Sequence, residues 1–392
     1  MTDPAELRRQ MVDAVMADGF VTDWRVALAP WLPSLLAVAR HRFIPNVVWV
    51  DNDGGAPPVL VPVHREQDPD RWLRLAYAGD GVVTQVDDGC PSGPGCAGSM
   101  PSSSASSPAV VAVMLAALDT RTGHHVLEIG TGTGYNAALL AHRLGAERIT
   151  SIEIDPDVAT RARTALSDNG FGAVTVVTGE GTLGYQSGAP YDRVVVTAAC
   201  HRIPYSWVAQ ARPGGRIVVP WADTYAGGLL MLTVGNDGTA QGTIVAESDF
   251  MWLRAQRGTR GAVKPAMGDG VRDPERVDAK ATTLHPSTVT GPHGARIAIG
   301  QRVPGCQWRY WPWEPREAVG VLWLVDPWGS WAKLTHTSPD ADEAEFPVLQ
   351  SGPRRLWDEV EAACHWWHDA GSPEADRWWF TVSPDEQRVQ LI

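Results

Sequence analysis

The segment Val126 to Tyr135, reading VLEIGTGTGY, has the residue types and spacing to do chemistry. Gly130, Gly132 and Gly134 let a backbone turn approach a ligand without Cβ clashes. Thr131 and Thr133 lie in the same turn, which hands the ligand to a helix N-terminus. Glu128 stands two residues ahead of the first glycine, where a carboxylate repels a pyrophosphate. The dinucleotide fingerprint also needs a third, helix-packing glycine, and Tyr135 and Asn136 do not supply it. An acid beside a glycine turn suits the ammonium and sulfonium groups of S-adenosylmethionine. The implied chemistry is methyl transfer, not hydride transfer.

Such a turn works only if parallel strands carry further polar groups to the same edge. Hydrophobic periodicity predicts strands at 126–129, 149–154, 174–178, 193–196 and 216–219, with helices at 109–118, 136–144, 157–168 and 206–210 between them. The alternation implies an open, mostly parallel sheet covered by helices on both faces, which binds ligands at the carboxyl ends of its strands. Glu153, with Ile154 beside it, ends the second strand where a carboxylate can take ribose hydroxyls. Asp155, before Pro156, reads as a helix cap. Gly179, Glu180 and Gly181 follow the third strand toward the adenine edge. Thr197 and Ala198 follow the fourth and leave room for the methionine end.

Around this core, helices are expected at 4–18 and 33–39, loops at 51–58 and 87–108, and a closing antiparallel pair at 229–234 and 242–247. Beyond residue 247 the character changes: twelve of the eighteen tryptophans lie there. The expected organisation is a methyltransferase domain over 1–247, with an N-terminal helical cap (1–108) and a Rossmann-like core (109–247). A smaller α+β accessory domain, expected to recognise a peptide, covers 248–392.

The net charge of −12, from 33 basic and 45 acidic residues, weighs against general nucleic-acid binding, which calls for a basic excess. The five cysteines form no C-x-x-C pair, so reduced thiols and no metal site are expected. No apolar run reaches membrane-spanning length and the N-terminus has no secretory pattern. Cytoplasmic residence is the expectation.

Tyr191 to Ala199 (YDRVVVTAA) with Ile203-Pro204, Arg212 to Pro220 (RPGGRIVVP), and Arg40 to Pro45 (RHRFIP) together resemble the protein-L-isoaspartate O-methyltransferases. The resemblance covers roughly residues 30–235. It implies a class I S-adenosylmethionine-dependent methyltransferase fold, S-adenosylhomocysteine as the cofactor product, and an active-site serine in a Ser-x-Pro segment. Counting back from Glu128 assigns that role to Ser106, with Ser104 and Ser107 as neighbours in the same serine-rich run.

An insertion at 87–101 and some 150 C-terminal residues depart from the repair enzymes. Both features look like the homologues of actinobacterial peptide pathways, which act beside ATP-grasp ligases (graspetides) or lanthipeptide synthetases, and Trp323 to Trp328 (WLVDPW), Pro353 to Trp357 (PRRLW) and Thr381 to Pro384 (TVSP) look like the graspetide-associated subgroup. That subgroup implies a modified, macrocyclic precursor peptide as partner, an ordinary aspartate as methyl acceptor, and an aspartimide as outcome.

A carboxylate is ionised at neutral pH, with a reference pKa of about 3.9 for Asp. It therefore needs alignment and desolvation rather than a general base, and a serine hydroxyl can orient one of its oxygens. Two rivals stand beside the macrocyclic-peptide reading: repair of isoaspartyl damage, and a peptide-binding partner without catalysis. In the C-terminal part Trp308, Trp311 and Trp313 are candidates for a peptide groove or for a small core. Arg254, Arg257, Arg260, Arg272, Arg276 and Lys264 are candidates for contacting an acidic peptide.

Overall fold

The computed structural model describes residues 3–52, 59–257, 277–311, 319–337 and 345–392. Its centre is a nine-stranded sheet. The parallel part is β5 (Val126–Ile129), β6 (Ile149–Glu153), β7 (Thr175–Thr178), β8 (Tyr191–Val196) and β9 (Ala211–Ala222), in spatial order 7-6-5-8-9. β5 pairs in parallel with β6 on one side and β8 on the other, so the topological switch falls at its carboxyl end. β10 (Gly227–Val234) and β11 (Ala240–Glu247) continue the sheet antiparallel beyond β9, the pair expected from sequence.

The helices α5 (Pro108–Leu118), α6 (Tyr135–Leu144), α7 (Pro156–Asp168) and α8 (Tyr205–Gln210) follow the predicted bounds within a residue or two. α5 is apolar on every side, and all of its residues except Val110 are buried. A helix of that composition belongs inside a core rather than on a surface. It lies between the central sheet and the N-terminal region, whose α1 (Pro4–Ala17), α2 (Arg25–Leu28), α3 (Leu32–Ala37) and α4 (Pro69–Ala76) join the same apolar cluster. α7 begins where expected: Asp155 accepts from the Asp157 and Val158 amides, and Pro156 takes the first helical position.

Two expectations are corrected. The cap is not only helical. It contains a four-stranded antiparallel sheet in the order β2-β1-β3-β4: β1 is Val47–Asp51, β2 Leu60–His64, β3 Val82–Val86 and β4 Pro101–Ala105. The serine-rich stretch read as loop is thus partly a strand, because pairing with β3 satisfies its backbone; small polar side chains conceal that from a hydrophobic pattern. The domain boundary at 247/248 also fails to separate two independent units. β17 (Trp378–Val382) and β18 (Gln387–Leu391) return to the central sheet, where β17 pairs with β11. They cover what would otherwise be an open edge.

Between these excursions the chain builds a second antiparallel sheet in the order 12-16-15-14-13: β12 is Asp278–Thr282, β13 Gln307–Trp311, β14 Gly320–Val325, β15 Trp331–His336 and β16 Phe346–Ser351. Helices α9 (Pro286–Thr290), α10 (His293–Arg302) and α11 (Leu356–Asp369) pack on one face of it around Leu322, Leu334, Val348 and Trp357. Among the described residues no helix is long and apolar enough to cross a membrane.

Candidate active site

At the end of β5 the chain turns through Gly130 (φ +93°), Gly132 (φ +53°) and Gly134 (φ +85°), all left-handed. A Cβ on Gly130 would stand 2.5 Å from Thr197 Oγ1. Glycine is therefore required there by conformation and by space. Thr197, at the end of β8, holds the turn by its hydroxyl, 2.5 Å from Gly130 O and 3.1 Å from Ile129 O. Thr131 Oγ1 lies 2.6 Å from Ser151 Oγ, and Thr133 Oγ1 accepts from the Tyr135 amide, the first residue of α6.

Two buried carboxylates flank this turn, by different means. Glu153 ends β6 and accepts from the Gly132 amide (2.9 Å) and the Asp155 amide (3.1 Å). Burial raises its pKa against those bonds. Glu128 is wholly inaccessible: it accepts from Asn136 Nδ2 at 2.7 Å and Ser151 Oγ at 2.5 Å. Burial pushes its pKa up to about 7 although both bonds oppose the rise. Glu128, a cofactor-binding candidate from sequence, is thus tied to the first turn of α6 and to β6 beside the glycine turn.

The remaining sequence-predicted residues gather along the same edge. Ile154 is partly exposed (37%) beside Glu153. The Gly179 amide donates to Glu153 O at 2.9 Å. Glu180 caps a short turn through the Thr182 amide at 3.0 Å. Gly181 is packed so closely that a Cβ would meet Ile129 Cγ2 at 2.6 Å, and Ala198 is half-buried next to Thr197. A turn that only glycine can make, with acids beneath and beside it and small residues opposite, fits S-adenosylmethionine. Gly130 to Gly134, Glu153, Gly179 to Gly181 and Thr197 with Ala198 would hold it, and Glu128 would support it from below.

β4 brings the serines over this turn. The position of a Gly132 Cβ is 3.5 Å from Ser104 O and 4.0 Å from Ser103 Oγ. The hydroxyls divide by occupancy. Ser102 donates to Gln85 Oε1 (2.9 Å), Ser103 accepts from Thr84 (3.3 Å), and Ser107 donates to Gly79 O (2.7 Å). Ser107, the third serine candidate, is engaged in this way at the start of α5. Ser104 and Ser106 are half-buried, and their hydroxyls have no hydrogen-bond partner among the described residues.

Arg40, read from sequence only as part of a resemblance, holds this junction. Its guanidinium is fully buried and has no carboxylate partner among the described residues. Its bonds go to three carbonyls, Ala76 (2.8 Å), Ser106 (2.9 Å) and Ala105 (3.3 Å), and it lies 5.5 Å from the Tyr135 ring centroid. A fixed buried cation beside Ser106 favours an anionic acceptor there.

A clasp also closes one flank of the site. Arg254 bonds Asp155 (2.9 Å), Asp88 (3.2 Å) and Gln85 (3.2 Å), and Arg257 bonds Asp88 at 2.8 Å. Burial opposes the charged form of Asp155, but Gln85, the Val158 amide and Arg254 outweigh it and bring its pKa down to about 2. Arg254 and Arg257 are therefore engaged within the chain and not presented to an acidic peptide. Pairing partners this far apart in sequence leave no local pattern. Arg260, Lys264, Arg272, Arg276 and Trp313 lie outside the described residues. Trp308 donates to Tyr225 O at 2.8 Å and packs inward, whereas Trp311 is exposed (46%). Cys200 is fully buried and burial drives its thiol pKa upward. No group of three or more metal-ligating side chains occurs among the described residues.

Residues 98–257 match the family model for protein-L-isoaspartate(D-aspartate) O-methyltransferase. Among curated proteins named protein-L-isoaspartate O-methyltransferase, that of Methanopyrus kandleri is 34% identical over 59% of this chain and 84% of its own. That of Methanoculleus marisnigri is 42% identical over 41% of this chain and 71% of its own. The match to protein 2 of Archaeoglobus fulgidus is 45% identical, covering 30% of this chain but only 55% of that relative. A solved structure titled protein-L-isoaspartate O-methyltransferase superposes with a TM-score of 0.52 at 16% identity, over 98% of this chain and 99% of its own. That likeness concerns the fold alone.

Proposed function

The chain belongs to the protein-L-isoaspartate O-methyltransferase family, and from that premise we propose that its acceptor is an isoaspartyl carboxylate in a peptide or protein. It is an S-adenosylmethionine-dependent carboxyl O-methyltransferase. The observation that carries the acceptor assignment is the free hydroxyl of Ser106, at the junction of β4 and α5, on the residue whose carbonyl the buried Arg40 holds.

When bound, S-adenosylmethionine supplies an electrophilic methyl carbon on a sulfonium. Held by the glycine turn, Glu153 and Thr197, it would let a carboxylate oxygen take the methyl group and release the neutral thioether, so the charges would cancel with no proton transfer. Ser106 Oγ donates to one carboxylate oxygen and leaves the other free to attack. Arg40 holds the Ala105 and Ser106 carbonyls, so the hydroxyl has a fixed origin. Its buried charge favours an anion beside that junction. Thr197 fixes the turn opposite, and Glu128 and Glu153 set a negative field under the cationic donor. The resulting ester is a better leaving group than a carboxylate. The next backbone amide can then close a succinimide with loss of methanol.

The test is methyl transfer to an isoaspartyl peptide and to its aspartyl twin. Turnover of the first alone is expected; equal turnover, or none, removes the isoaspartyl assignment. A second reading is an ordinary aspartate of a macrocyclised precursor, presented after an ATP-grasp ligase or a lanthipeptide synthetase has acted and leading to an aspartimide. The observation in its favour is the inserted 87–101 segment, which Asp88 ties into the clasp beside the site. Methyl gain and then methanol loss on a cyclised but not a linear peptide would select it. In either case the accessory region would recognise the peptide, and cytoplasmic residence is the accompanying proposal.

A further inference from the structure

The five-stranded sheet has one face covered by α9 to α11 and one whose outward side chains join none of the apolar cores among the described residues. Burial alternates along β14, β15 and β16, with Leu322, Leu334 and Val348 turned to the helices. Their neighbours point outward. The pairing register aligns those neighbours in ranks: Arg309, Trp323, Lys333 and Leu349 stand side by side across four strands. Trp331 lies one rank away, its ring centroid 5.7 Å from that of Trp323, and Lys333 Nζ is 5.7 Å from the Trp323 ring. Trp311 and Leu349 are 46% and 40% exposed. Among the described residues, no outward position on these strands carries a carboxylate.

We propose that this face, centred on Trp323, Trp331, Arg309 and Lys333, binds an acidic, apolar-containing segment of the peptide substrate. The inference rests on the peptide-methylating reading above. A face whose described outward strand positions carry Arg309 and Lys333 and no acid, on a chain of net charge −12, is locally complementary to anions. A second copy of the same face would set Arg309 and Lys333 against like charges. Three indoles cover at most about 450–750 Å² at 150–250 Å² each. That is less than the roughly 800 Å² each partner gives to a stable protein interface, and it suits a short extended segment. Two cations do not make the continuous basic groove that tracks a nucleic-acid backbone, and the 50° tilt between Trp323 and Trp331 offers no flat stacking platform.

The test uses the full chain and a fluorescein-labelled 16-residue peptide of alternating Asp and Leu, read by anisotropy. Binding is expected, and the charge reversal Arg309→Glu with Lys333→Glu should weaken it at least tenfold. Trp323→Ala should act in the same direction. A Lys-Leu peptide should not compete. Unchanged binding in the charge-reversed variant, or tighter binding of a 16-nucleotide oligo-dT, would overturn the proposal. Turnover of a short isoaspartyl peptide should be the same in wild type and charge-reversed variant, and its loss in that variant would also count against a docking face. Because anisotropy needs no methyl transfer, failure of the surface and failure of the isoaspartyl reading give different results.

Discussion

At the carboxyl ends of the parallel strands, polar groups are met by partners from distant parts of the chain. Glu128 is held by Asn136 and Ser151, Glu153 by the Gly132 amide, Asp155 by Gln85 and Arg254, and the Ser106 carbonyl by Arg40. On the outward face of the five-stranded sheet, Trp311 and Leu349 face solvent, and Lys333 and Trp323 have mainly each other. The first region is built so that few atoms can move. The second packs its aromatic and basic side chains mainly on one another and leaves part of their area exposed. Preorganisation serves a reaction that needs alignment and no proton transfer; an open face serves recognition.

The contrast can be broken or sharpened by substitution, starting with the largest effect. Gly130→Val should abolish S-adenosylmethionine binding in calorimetry, because its Cβ would lie 2.5 Å from Thr197 Oγ1 and its φ is +93°; retained affinity would mean the turn is not the cofactor cradle. Arg40→Met should cost about 3 kcal/mol in denaturant unfolding, since it strands the carbonyls of Ala76, Ala105 and Ser106, while Arg40→Lys should recover part of that. Ser106→Ala should lower kcat about 100-fold, as for loss of one oriented donor, with cofactor affinity intact. Ser107→Ala should act on stability instead, and the reverse outcome would exchange their roles.

Glu128 supplies a pH test. Its pKa is raised by burial to about 7 from an ordinary value near 4.5. Between those values the folded state holds a proton that the unfolded state releases, so its contribution to stability declines as pH rises from 4.5 to 7. Glu128→Gln should flatten that part of the Tm-against-pH curve, a change on the order of 3 kcal/mol. An unchanged slope would mean that the carboxylate is solvated. The smallest effect belongs to the open sheet: Lys333→Glu should shift unfolding by less than about 0.5 kcal/mol, and a larger loss would show that the face is part of the fold.

Much of the site was legible before any coordinates. Strand 126–129, the glycine turn, the Asp155 cap and the β-α-β order depend on local rules: hydrophobic period, capping and left-handed backbone. These act within a few residues, so the sequence states them directly. The strand character of Pro101–Ala105 was not legible, because serines give no apolar alternation and only pairing with β3 declares it. The return of β17 to β11 was hidden as well, since its 378–382 strand looks alike whether it closes a separate domain or an edge of the central sheet.

The sequence by itself determined the donor chemistry and the parallel core, because these follow from residue types at short spacing. Tertiary structure alone decided which serine hydroxyls are already engaged, that Glu128 is buried on Asn136 and Ser151, that Arg40 and Arg254 brace the site, and that a tryptophan and lysine rank faces outward. Those outcomes depend on which distant groups compete for the same hydrogen bond or the same apolar face, and only the folded chain brings the competitors together.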